Sequence, residues 1–81
     1  MSAKRRLSDQ DGAWAPSRRQ RRVIELVAQG LKNREIAIEL GIAEPVVRKY
    51  LREIYAKIGV SNRVELALWY WSRKQEGNAP Q

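Results

Sequence analysis

The stretch Glu44 to Ile58, EPVVRKYLREIYAKI, decides how the rest of the chain is read. Wound as a helix at about 100° per residue, it puts Val47, Leu51, Ile54 and Ile58 on one stripe. Arg48, Lys49 and Arg52 fall on the opposite side, within an arc of roughly 100°. With an aliphatic stripe behind and cations in front, a short helix has the shape to enter a DNA major groove and reach base edges. Taken alone, the segment fits a solvated basic face on an ordinary helix slightly better. Its surroundings change that balance.

Immediately before it, NREIAIEL reads as a short helix opened by Asn33 as cap, with Ile36, Ala37 and Leu40 pointing inward. Gly41 supplies a tight turn and Ile42 anchors it. Helix, short glycine turn and basic helix make a helix-turn-helix in outline, the first helix bracing the second from behind. Further back, Ser17 and Gln20 have capping-box spacing, and Val23, Ile24, Val27 and Leu31 form the stripe of a first helix that Gly30 ends. Arg18, Arg19, Arg21 and Arg22 crowd its amino-terminal turns, where the helix dipole disfavours cations. That hints at an external anion, although exposed arginines at a helix start are more often simply tolerated.

Beyond Ile58, Gly59 stops the helix and Val60 turns back toward the core. Asn62 and Glu65 are spaced to cap a fourth helix over about 63–75. This helix is apolar on two sides. Val64, Ala67, Leu68 and Trp71 suffice to pack on the bundle, which leaves Leu66, Trp69, Tyr70 and Arg73 to face a partner. A homodimer through that second face is the expectation. The alternative is that Trp69 or Tyr70 covers the domain's own edge, or that the arm around Trp14 covers them.

Composition removes whole classes of function. With neither cysteine nor histidine among the 81 residues, disulfides, Cys/His zinc sites and the commonest general base are gone. The five glycines form no phosphate cradle, and the helix glutamates are scattered. No enzyme, metal, cofactor or small-molecule ligand is expected. Sixteen Lys and Arg against nine Asp and Glu give a net charge of +7 and a pI near 10.4, which favours a polyanionic partner. Seven of those basic residues and two of the acidic ones lie at or before Arg22. No apolar run approaches ~20 residues, so no membrane span is expected, and a cytoplasmic, nucleoid-associated location follows by default.

The expected organisation is a flexible basic arm over 1–15, a folded domain over 16–76 and a disordered tail over 77–81. Lys4, Arg5 and Arg6 in the arm read as solvated charge, with a minor-groove contact as the rarer use. Trp14 and Pro16 are placed to fold back onto the domain.

The run from Ser17 to Leu68, with VIELVAQGLKNREIAIELGI and VVRKYLREIYAKIGVSNRVELA, resembles the DNA-binding domain of LuxR-type (NarL/FixJ and GerE-like) bacterial transcription regulators. The resemblance implies an all-α, compact four-helix domain containing a helix-turn-helix, with the fourth helix as the usual dimer contact. It implies base contacts from Arg48, Lys49 and Arg52, with Val46 set to meet a thymine methyl. Phosphate contacts would map to Lys32, Asn33, Lys57, Ser61 and Arg63, where helix amino termini also offer amides. Three positions depart from the pattern: Ala43 stands where Ser usually caps the recognition helix, Val46 replaces Thr and Tyr50 replaces His. Altered sequence preference or weaker affinity is the expected result, with the fold kept. Such regulators mostly carry a receiver or ligand-binding domain ahead of this one. About fifteen polar residues precede it here, which suits either a stand-alone GerE-like regulator or an excised effector domain.

The functional expectation is therefore sequence-specific binding of double-stranded DNA by a homodimer, with RNA polymerase as a further candidate partner. The rival reading is a small helical protein-protein interaction module whose basic face is incidental. RNA binding is weaker, because no aromatic is interleaved with the cations of the reading face to stack bases.

Overall fold

Four helices run in sequence through the computed structural model, which describes residues 14–78: α1 (Arg18–Ala28), α2 (Asn33–Leu40), α3 (Glu44–Ile58) and α4 (Arg63–Asn78). There is no strand among the described residues, as expected of an all-α helix-turn-helix domain. The basic run Lys4 to Arg6 and the last three residues lie outside the described residues. Helix α4 includes Gly77 and Asn78, so it reaches two positions into the stretch expected to be tail.

Each helix starts and stops for a local reason. Ser17 accepts from the Gln20 amide at 3.1 Å and Gln20 accepts from the Ser17 amide at 2.9 Å, a complete capping box on α1. At α2 the cap is not Asn33, which is the first helical residue. Lys32 holds that position, and Glu35 accepts its amide at 2.7 Å; an ammonium cannot accept in return, so only half of a box forms. Helix α3 starts at Ala43 with no side-chain cap and with Pro45 in its first turn. Asn62 accepts from the Glu65 amide at 2.9 Å and Glu65 accepts from the Ser61 amide at 2.7 Å, which opens α4.

The exits of α1, α2 and α3 share one device. Leu31, Ile42 and Val60 donate back five residues to Leu26, Ala37 and Tyr55, and each packs on the core. This closure needs a left-handed residue just before the aliphatic one. Gly41 takes it at φ 68°, ψ 37°, setting the steep turn between α2 and α3.

The core gathers Val23, Ile24, Leu26 and Val27 from α1, Ile36 and Ala37 from α2, Val47, Leu51 and Ile54 from α3, and Leu66 from α4. Helix α1 packs along α4, and α2 braces α3. Trp14 folds back against this core, half-buried. Full burial of an aliphatic side chain contributes about 1.5–3 kcal/mol, and α3 provides three such residues. They hold its inner face fixed and leave its outer face free.

The two faces of α4 are largely exchanged relative to the sequence reading, although Trp71 keeps a hold on α1 through its indole, which donates to the Ala28 carbonyl at 3.2 Å. Leu66 is 0% exposed, and Trp69 and Tyr70 pack half-buried against the core, whereas Val64 and Leu68 stand 65% and 64% exposed. Arg63 explains the rotation. Its guanidinium donates to Asn33 Oδ1 at 2.8 Å and to the Leu31 carbonyl at 2.7 Å, turning the stripe Arg63, Leu66, Tyr70 inward. Leu66 is therefore not available to a dimer face, and Trp69 and Tyr70 offer only part of their surface.

Candidate nucleic-acid interface

Burial of Val47, Leu51 and Ile54 dictates what the other side of α3 presents. Arg48, Lys49 and Arg52 are all exposed there. Val46, at the first turn, is 37% exposed, while its neighbour Val47 is 0% exposed. Of the two valines, only the first can meet a partner.

The face is not uniform. Arg48 and Arg52 converge with Asn33, Leu51, Tyr55 and Arg63 on an open concavity of about 200 Å³, bounded by α3 and the starts of α2 and α4. Three guanidiniums around one hollow suit an oxyanion, because Arg presents a planar fork of donors. Arg63 enters with part of its fork already committed to Asn33 and Leu31, which ties α4 to the start of α2 while the residue still lines the hollow. Asn33 likewise spends its carbonyl oxygen on Arg63 rather than on a helix cap. Lys49, Val46, Lys32, Lys57 and Ser61 are exposed but lie outside the hollow.

Glu44 was not singled out from the sequence. Its carboxylate accepts from Arg48 at 3.3 Å, one turn back along α3. An exposed pair at this spacing is worth about 0.3–0.5 kcal/mol, so Arg48 is parked rather than fixed and can exchange the carboxylate for a better acceptor. The spacing of four was visible in the sequence. Tyr55 was also missed, since one turn past Arg52 nothing marks it as lining rather than core. Arg22 pairs with Glu25 at 3.1 Å and reaches Glu39 of α2 at 3.9 Å.

A basic helix set outward by a glycine turn, with a second helix bracing it, defines a helix-turn-helix domain of the DNA-binding class. Residues 17–70 match the model of the bacterial regulatory proteins of the luxR family, and the chain belongs to that family. It is 43% identical over 70 residues to the probable HTH-type transcriptional regulator GfsR of Streptomyces halstedii, covering 86% of this chain and 28% of that protein. It is 45% identical over 51 residues to the transcriptional regulatory protein UhpA of Escherichia coli, covering 63% and 26% of the two chains. Over 51 residues it is 39% identical to the nitrate/nitrite response regulator protein NarL of the same species, covering 63% and 24%. The chain thus spans about a quarter of the length of these relatives. Membership places it among DNA-binding regulators of transcription, a class of binding proteins rather than of enzymes. No helix among the described residues is long and apolar enough to cross a membrane.

Proposed function

We propose that this chain reads a specific duplex sequence with α3 in the major groove, as a homodimer joined through α4. The observation that carries the reading is the joint exposure of Arg48, Lys49 and Arg52 on a helix whose reverse side is fully packed. Arg48 and Arg52 read guanine O6 and N7 by bidentate forks, each good pair giving ~1–3 kcal/mol of discrimination. Lys49 reads beside them, and Val46 meets a thymine methyl. Lys32, Lys57 and Ser61 hold phosphates, joined by amides at the starts of α2 and α4. Arg63 supports the same contacts by keeping those two starts together.

The dimer uses the ridge Val64, Leu68 and Trp71 in place of the face expected from sequence. Val64 and Leu68, one turn apart and 65% and 64% exposed, favour a second copy there, beside Trp71, which is 46% exposed while its indole donates to the Ala28 carbonyl. A two-fold pair requires an inverted-repeat operator with half-sites about one helical turn apart. Such a regulator works in the cytoplasm at the nucleoid, with RNA polymerase within reach.

Selection of binding sites from random duplex DNA at two salt concentrations tests the reading. Enrichment of an inverted repeat, with affinity falling steeply with salt, is expected. Failure to enrich any sequence at the lower salt would sink it.

A further inference from the structure

A groove between α1 and α4 lies outside everything assigned above. Its volume is about 260 Å³, and its lining combines Pro16, Ile24, Trp69 and Tyr70 with Arg21, Arg73, Lys74 and Glu25. No residue of α2 or α3 contributes, so it faces away from the reading helix. On α4, Trp69 and Arg73 lie about 140° and 180° around from Val64, away from the proposed dimer ridge.

The charge of the groove is one-sided. Glu25 is already paired with Arg22 at 3.1 Å, and Arg21, Arg73 and Lys74 make no ion pair among the described residues. An occupant that brings carboxylates together with an apolar group complements this lining. A nucleotide fits poorly, because the Arg73 guanidinium sits 5.0 Å over the Trp69 ring and already takes a face on which a base would stack. A free aliphatic acid fits poorly as well, since the groove is open along one side and cannot enclose a chain. A peptide that lays one or two apolar side chains on Pro16, Trp69 and Tyr70, flanked by Asp or Glu over the cations, satisfies both demands.

We propose that the α1–α4 groove docks an acidic, apolar-anchored segment of a partner protein, leaving α3 free for DNA. The proposal stands apart from the DNA reading, because it uses none of the same residues. The test is fluorescence anisotropy of a labelled decapeptide with one Leu-Phe pair between runs of Asp, titrated with the full chain. Saturable binding is expected, weakened about tenfold or more by joint Arg21→Glu and Lys74→Glu. Both residues are exposed, so the variant should keep its circular dichroism spectrum and its duplex binding should fall by far less. Three outcomes would overturn the proposal. One is equal binding of a peptide with Ser in place of Leu-Phe, which means charge alone; another is unchanged binding by the double variant. The third is peptide binding that appears only after Asp9→Asn with Asp11→Asn, which would mean that the chain's own acidic segment is the occupant.

Discussion

Arg63 donates to Asn33 across 30 positions of sequence, at 2.8 Å, and so ties the first residue of α4 to the first residue of α2. The same guanidinium reaches the Leu31 carbonyl at 2.7 Å. Charge-assisted hydrogen bonds contribute about 1.5–3 kcal/mol each when formed in folded proteins, and less when part-exposed as here. Arg63→Lys keeps the charge but cannot span both acceptors. It should lower unfolding stability by about 1–2 kcal/mol in urea titration. Equal stability of the Lys variant and the parent would show that the bridge is incidental.

The same contact accounts for what was and was not legible in the sequence. Most of the core of α1, α2 and α3 follows from periodicity, since Val23, Ile24, Val27, Ile36, Ala37, Val47, Leu51 and Ile54 are buried where the spacing puts them; Leu26 of α1, outside the expected stripe, is buried as well. Helix α4 has two apolar sides, and hydrophobic spacing cannot choose between them. The choice is made by a polar residue, Arg63, whose acceptors lie in another part of the chain. The Asn33 cap fails for a related reason, since its carbonyl oxygen has a long-range donor and Glu35 already serves the amide of Lys32. On the outer face of α3 the exposure of Arg48, Lys49 and Arg52 was legible, but the convergence of Arg48 and Arg52 with Tyr55 was not, because it depends on how α2, α3 and α4 meet.

Reassignment of the α4 faces makes a paired prediction. Leu66→Ala opens a cavity in the core and should destabilise the fold by about 2–5 kcal/mol. Leu68→Arg changes a side chain that is 64% exposed and should leave unfolding stability within about 0.5 kcal/mol. It should, however, abolish self-association in analytical ultracentrifugation and the cooperative binding of an inverted repeat. If Leu68→Arg unfolded the chain while Leu66→Ala did not, the rotation of α4 described above would be wrong.

Gly41 offers a test of the turn itself. A Cβ at this position meets nothing within 4 Å, so Gly41→Ala introduces no clash and acts only through its φ of 68°. The left-handed conformation costs a residue with a Cβ about 1–2 kcal/mol. The thermal midpoint should fall accordingly, and Gly41→Asn should recover part of the loss, since Asn tolerates this region better. An Ala variant as stable as the parent would mean that the turn between α2 and α3 is not held left-handed.

Glu44 restrains Arg48 and places a carboxylate beside the proposed reading face. Glu44→Gln should release the guanidinium and remove a charge that repels phosphate, raising affinity for the selected duplex by roughly two- to fivefold, in keeping with an exposed pair worth less than about 1 kcal/mol. A drop in affinity would instead mean that the carboxylate holds Arg48 in its reading position.

Roles along the basic surface separate by how they respond to sequence and salt. Arg52→Ala removes a proposed base reader and should cost about 1–3 kcal/mol on the selected site while relaxing preference at one base position. Lys57→Ala removes an exposed cation in the last turn of α3, outside the hollow. It should weaken all duplexes nearly alike and reduce the slope of log affinity against log salt by about 1. Titrating both variants against the selected site and a scrambled duplex, at two salt concentrations, distinguishes the two effects. Equal losses for both variants on both duplexes would reduce the surface to a nonspecific polyanion binder, since base reading requires Arg52 to discriminate where Lys57 does not.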